Sequence, residues 1–472
     1  MQKNVFSWVT LDNGGRVFPG QNTRRWSNVF RLGVQLKEKI DPQILRDALE
    51  KTFERFPFFR VRMRKGFFWN YLEYNEKECP IKPDICNFCY RINFKENNGF
   101  LFRIFYHENR INIDFYHALC DGYGAMVFLS TLTGEYLRLK GYKISHNQLV
   151  LNVEDSFNAE EKEDAYSRYA STDAKSKLSD PVAYHKKGTR LPLHFANYTS
   201  AIMSFKEVHA LCKKYGVTVT EFLGAVLLDI HCRKALARGK KHKNVSVQIP
   251  INLRKHFSSR TMGNFVLCLL VKFNIGAGEF TFEDVLKSVS TQLKENCNEK
   301  AMNAYITKTH KLGNKTIKFV PLVIKNFFVK VFFNLTAEYS TSVLLSNLGP
   351  VILPEDMKQH VEKYCLHTGA GLVNGARCGV VSCKDNLVLT FSNCYEEDDI
   401  EKDFLQQLVN FGIGVTVETN RNVDFTEIEG ITAGDKNAYS DKIYIPAKID
   451  RIIRFASHDI RFRERFRRVF HT

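Results

Sequence analysis

Residues 111–124 read Ile-Asn-Ile-Asp-Phe-Tyr-His117-Ala-Leu-Cys-Asp121-Gly122-Tyr-Gly124. An alternating apolar run ends in a histidine, and four residues later Asp-Gly opens a helical stretch. Imidazole titrates near neutrality, so a histidine held at a strand end suits removal of a proton from a hydroxyl or amine. A carboxylate at position 121 would start the helix, where the backbone dipole favours negative charge. Gly122 tolerates a close neighbour that any side chain would exclude. Cys120 lies three residues from His117, but no base is paired with it by motif, so it carries little weight as a nucleophile. These residues alone leave two readings open: a catalytic base, or a structural histidine beside a helix cap.

The elements that position this turn can be read around it. Val29–Leu36 reads as a strand. Asp41 caps a helix with Pro42 at its first position and Ile44, Leu45, Leu49 and Phe53 at helical spacing, and Phe56-Pro57 breaks it. Shorter strand-like runs follow at Val61–Met63 and Phe67–Tyr74. Phe100–His107 and Arg110–Phe115 form a hairpin turned by Glu108-Asn109, and the motif helix runs from Tyr123 toward Lys140. Residues 152–180 are polar and acidic and read as a solvated connector. Beyond Leu191 strands and helices alternate again. Strands are expected at Thr199–Ser204, Val245–Pro250, Phe265–Phe273, Ser342–Ser346 and Leu387–Ser392. Helices are expected at Lys206–Lys214, Thr220–Ala237, Thr281–Glu299 and Ile400–Gly412. The class is α/β or α+β.

Three later segments join the His-x-x-x-Asp-Gly turn in a recognisable order: Gly216-Val-Thr-Val-Thr-Glu-Phe-Leu-Gly-Ala-Val-Leu, then Val247-Gln-Ile-Pro-Ile-Asn-Leu-Arg254 with Met262-Gly-Asn264-Phe265, then Ser346-Asn347-Leu-Gly349-Pro350. Leu49–Phe59 fits as well. Together they resemble the superfamily of chloramphenicol acetyltransferases, nonribosomal-peptide condensation domains, plant BAHD acyltransferases and alcohol acetyltransferases, over residues 25 to 415. The resemblance implies two chloramphenicol-acetyltransferase-like lobes forming a V, with a central channel and His117 near its middle. The expected divisions are 1–170 for the first lobe, 171–190 for a connector, 191–430 for the second lobe and 431–472 for a basic tail. Condensation domains carry two successive histidines where this chain has Tyr116-His117, so the resemblance is nearer to stand-alone acyltransferases of the alcohol acetyltransferase kind.

The resemblance implies acyl transfer from an acyl-CoA thioester to a hydroxyl or amine, with acyl-CoA as a co-substrate and no bound cofactor. His117 is the implied base, in a catalytic turn with Asp121 and Gly122. Asp121 is expected to turn away from substrate and pair with Arg254 of the second lobe. Candidates to hold the oxyanion are the Gly122 N–H, the Asn264 amide, and Ser346 or Asn347. Lys240, Lys241 and Lys243 form either a solvated loop or a cradle for coenzyme A phosphates.

The whole sequence fits this reading. It has 472 residues, 44% hydrophobic and 25% charged, which is globular rather than disordered. A net charge of +17 favours anionic partners. No nucleic-acid motif accompanies it, so no nucleic-acid partner is expected. The 12 cysteines are scattered; Cys86 and Cys89 form one C-x-x-C beside Cys79, but no second pair completes a zinc site, so ordinary thiols and no metal are expected. The N-terminus has no signal-like apolar region, and residues 316–335 are too often interrupted by lysine to span a bilayer. A cytoplasmic monomer is expected. Residues 316–335 read as a second-lobe helix, with a lipid-facing or substrate-facing one as the alternative. The tail from Arg451 to Thr472 holds seven arginines and sets Phe462, Phe466, Val469 and Phe470 on one helical face. That pattern suits peripheral contact with an anionic membrane, or docking on the protein itself or a partner. The alternative function is a non-catalytic binding protein directed to such a surface by its basic tail.

Overall fold

The Asp41 carboxylate accepts the backbone N–H groups of Gln43 and Ile44 and so starts the helix Pro42–Arg55. Its buried stripe of Leu45, Leu49 and Phe53 meets the motif helix Gly122–Leu139 over a five-stranded sheet. These relations come from a computed structural model that describes residues 8–22, 27–171, 181–239, 244–314, 319–333, 339–369, 371, 376–422 and 425–442. Lys240, Lys241, Lys243 and the whole Arg451–Thr472 segment lie outside the described residues.

The five-stranded sheet runs Val361–His367, Val29–Leu36, Arg110–Tyr116, Phe102–His107, Ile81–Pro83, antiparallel except for the last pair. On the central strand, Ile111, Ile113 and Phe115 join the aromatic core with Phe53, Phe59, Phe102 and Phe128. The opposite face is buried too. There Asp114 takes Arg31 and Arg103, each at 2.6 Å, and Arg31 also holds Asp84. A small three-stranded sheet orders Trp8–Thr10, Asn70–Tyr74 and Val61–Lys65.

The second lobe is built on an eight-stranded mixed sheet. Its order is Val266–Asn274, Asn244–Asn252, Val343–Pro350, Ala376–Cys383, Asn386–Asn393, Asn197–Ser204, Val415–Thr419, Ile431–Ala433. The helix Val219–Ala237 is buried in this lobe's core. A reciprocal cap starts it, Thr218 bonding the Glu221 N–H and Glu221 the Thr218 N–H. Phe282–Asn296 and Asp399–Asn410 pack beside it.

Several expectations need correction. Residues 159–170 are not simply solvated. They form a short turn, Ala159–Lys162, and the helix Ala165–Tyr169. There the Glu161 carboxylate is buried on Arg55, and the Tyr166 hydroxyl donates to the Val266 carbonyl. The chain does not finish its lobes in simple succession: Val361–His367 lies far along the sequence yet pairs with Val29–Leu36 in the first lobe's sheet. The fold also continues past residue 430, because Ile431–Ala433 edges the large sheet and Tyr439 stacks near Phe88 and Tyr198. Strand Ala376–Cys383 and helix Glu299–Asn314 had no counterpart in the sequence reading. In the 316–335 stretch, Leu322–Phe333 is helical and packs on the first lobe's Phe18–Gln21, rather than within the second lobe.

Candidate active site

Pairing of Val29 with Tyr116 continues one step further, where the His117 N–H donates to the Asn28 carbonyl at 2.8 Å. This pins the histidine backbone at the end of its strand. The imidazole is half-buried against aromatic rings: Phe18 stacks on it with ring centres 4.5 Å apart, and Phe30 lies tilted at 5.1 Å. Its Nδ1 is 2.8 Å from Asn264 Oδ1.

That contact fixes the tautomer. The Asn264 side-chain NH2 donates to the His117 carbonyl at 3.0 Å and faces the Asp12 carboxylate at 3.4 Å. Its carbonyl oxygen is therefore the atom that meets Nδ1, and Nδ1 must carry the proton. Nε2 is left with its lone pair. Burial lowers the imidazole pKa below its ordinary value, against the opposing Asp121 charge and Asn264 hydrogen bond. The ring stays neutral near pH 7, as a base must.

Asp121 does three things with two oxygens. Oδ1 accepts the N–H groups of Tyr123 and Gly124 and caps the motif helix. Oδ2 accepts Arg254 Nη1 at 2.8 Å and the Phe265 N–H at 2.9 Å, both from the second lobe. Arg254 also donates to the carbonyls of Thr261 and Gly263 and lies over the Tyr123 ring. The ion pair is buried, and every oxygen and most donors are engaged, the condition under which a buried pair fixes geometry.

The glycines let the lobes close. A Cβ on Gly124 would sit 2.0 Å from the Met262 carbonyl oxygen, and one on Gly122 would sit 2.4 Å from a Leu348 methyl. Both neighbours belong to the second lobe.

Asp12 and Phe18 were invisible as site residues in the sequence. Strand Trp8–Thr10, paired with Asn70–Tyr74, carries the chain to them. Asp12 accepts the Asn264 N–H at 3.0 Å and the Gly15 N–H. Burial raises its carboxyl to about 6, against those bonds. It borders a small cavity of about 30 Å³ with Lys162, whose ammonium burial lowers to about 7 while Asp12 opposes the change. The Asp-Asn-Gly-Gly run at residues 12–15 signals only a turn.

Ser346 and Asn347 lie on the second-lobe strand Val343–Pro350, whose Leu348 reaches Gly122. Asn347 donates to Thr220 and accepts the Gly349 N–H. Ser346 sits on strand Val343–Pro350 opposite Gly379. Cys120 is buried, and burial holds its thiol well above the usual range, which suits packing rather than attack.

No family profile matches the sequence, and no curated protein does. Solved structures do. The trichothecene 15-O-acetyltransferase TRI3 from Fusarium sporotrichioides aligns with a TM-score of 0.55 at 12% identity, over 86% of this chain and 97% of that one. The starter condensation domain of rhizomide synthetase, in complex with C8-CoA, gives 0.55 at 11%, over 86% and 95%. TRI101 from F. sporotrichioides, complexed with coenzyme A, gives 0.55 at 13%, over 84% and 96%. Similarity at this identity is similarity of fold. The chain has the two-lobed fold of the superfamily its motifs resemble, spanning nearly all of each neighbour.

Proposed function

We propose that this protein is an acyltransferase that moves an acyl group from an acyl-CoA thioester to a hydroxyl or amine, with His117 as the general base. One observation carries the reading: an imidazole at the lobe boundary, neutral by burial, with Nδ1 held by Asn264 and Nε2 left basic. Neighbours of the same fold bound to coenzyme A and to C8-CoA support the choice of donor.

In this mechanism Nε2 takes the acceptor's proton as its oxygen or nitrogen attacks the thioester carbonyl. The tetrahedral intermediate collapses, the C–S bond breaks, and the coenzyme A thiolate takes the proton from the imidazolium. No acyl-enzyme is needed. The Asn264 amide is committed to orienting His117 and the Asn347 amide to Thr220. Of the four oxyanion candidates, the Gly122 N–H and the Ser346 hydroxyl therefore remain. Asp121 and Arg254 are positioning residues that hold the turn.

The test is a panel of acyl-CoAs against pooled alcohols and amines, with thiol release and acylated product read by mass spectrometry. Wild-type protein should form product, and folded His117→Ala should lose ~10²-fold or more of the turnover. A protein that releases no thiol and acylates nothing across the panel is a binding protein on this scaffold.

A further inference from the structure

The helix Leu322–Phe333 mixes apolar and polar groups on its inner face: Leu322 is buried, Val329 and Asn326 lie close to Gly20, and Lys325 is buried, donates to the Phe68 carbonyl at 3.0 Å and lies over the Trp69 ring. Its outer face is apolar. Val323 is 82% exposed, Phe327 64% and Phe328 62%. Val323 and Phe327 stand four residues apart on one face. The patch continues across elements. Phe319 is 79% exposed, and its ring meets Phe68 from the turn between Val61–Lys65 and Asn70–Tyr74. Beside it Phe67 is 71% exposed, and its carbonyl accepts the Leu322 N–H. Exposed apolar surface of this extent marks an interaction site.

Charge selects the partner. Between Glu299 and Glu338 the sequence has seven lysines and no acidic residue. Lys65, at the edge of the aromatic turn, is exposed. A second copy pairing through the same face would bring the exposed Lys65 of each copy near the other, which opposes a symmetric dimer. An anionic bilayer satisfies both features, with phenyl rings below the headgroups, Lys65 among the phosphates and the chain's net charge of +17 favouring an anionic surface. Among the described residues no single helix is long and apolar enough to cross a membrane.

We propose that Leu322–Phe333 and the 66–69 turn form a docking face for an anionic lipid bilayer. The inner side of this helix packs on Phe18–Gln21, whose Phe18 stacks on His117, so docking sets the candidate site one element away from lipid. The proposal stands independently of acyl transfer.

The test uses full-length protein and vesicles of phosphatidylcholine alone or with 30% phosphatidylglycerol as a chosen probe. Wild type should co-sediment with the anionic vesicles and more weakly with the neutral ones. A Phe67→Ser, Phe319→Ser, Val323→Ser, Phe327→Ser variant should lose more than about tenfold in partitioning, the change expected from withdrawing even one apolar side chain from lipid. As a milder probe, Phe328→Trp should gain fluorescence quenching from brominated acyl chains beyond that of the native tryptophans. Equal co-sedimentation of wild type and the serine variant, or no added quenching, overturns the proposal. So does a wild type that dimerises without vesicles through a face the serine variant disrupts.

Discussion

At His117, burial between Phe18 and Phe30 disfavours imidazolium, while the Asp121 charge and the Asn264 carbonyl favour it; burial prevails. Its contribution to folding is therefore present above pH 6.5 and lost as pH falls through the lower folded value. Asp12 behaves oppositely. Its carboxyl is raised from 3.8 to about 6, so its contribution is full below pH 3.8 and lost as pH rises to about 6. Lys162 and Asp164 face the same carboxylate, the lysine opposing this rise and the second acid adding to it. Asp12 holds Asn264, and Asn264 holds Nδ1, so protonation of Asp12 should loosen the base. The acid limb of kcat/KM should then contain a step near pH 6, with the His117 step below 6.5. In Asp12→Asn the step near 6 should vanish and the His117 step persist; an unchanged pH profile would show that Asp12 does not act on the base. His117, Asp121 and Arg254 stood out through the motifs of the resemblance, and Asn264 stood out only as an oxyanion candidate, whereas it holds His117 instead. Asp12 and Phe18 did not stand out, since a turn-forming tetrapeptide and a lone phenylalanine carry no mark of the strand pairing that brings them to the imidazole.

The catalytic turn is held at the scale of elements by contacts that cross between strand, helix and the facing lobe. Asp121 is cap and ion-pair partner at once, so its two oxygens cannot be replaced by one amide without loss. Asp121→Asn and Arg254→Ala should each lower activity and stability, and the double mutant should be non-additive by about 0.5–3 kcal/mol. Urea unfolding of the four proteins measures this coupling, and an additive cycle would separate the two roles. Gly124→Ala tests the same junction through volume. Its Cβ would collide with the Met262 carbonyl, backbone that cannot swing aside, so stability should fall by about 1–3 kcal/mol or more. A melting temperature equal to wild type would show that the lobes have slack there. Period and caps made most of these elements readable: Val29–Leu36 and Pro42–Arg55 occur as read. The strand Arg110–Tyr116 shows where that method stops. The hairpin reading gave the strand but not what lies on its two faces: Ile111, Ile113 and Phe115 join the core on one. Arg31, Arg103 and Asp84 bury the other face as an ion network, and those partners come from distant segments.

Across the whole molecule the lobes are tied at more than one place. Val361–His367 crosses into the first sheet, and its Lys363 reaches Glu418 of the large sheet, which also faces Arg110 of the first lobe. Such crossovers are hard to read because a seven-residue strand does not name its partner. The described residues end at 442, so removal of Arg451–Thr472 takes away none of the elements described here. That deletion should leave melting temperature and turnover unchanged. It should also divide two sources of membrane affinity. Arginines near an anionic surface contribute about 1 kcal/mol each and are screened by salt, whereas inserted phenyl rings are not. The deleted protein should therefore lose much of the salt-sensitive part of its binding to anionic vesicles and keep the part that survives high salt. The serine variant of the 319–327 face and 66–69 turn should show the reverse pattern. Vesicle co-sedimentation of both proteins at low and high salt measures this. If the deletion instead unfolds the protein, the tail is part of the second lobe, and its seven arginines serve the fold rather than a surface.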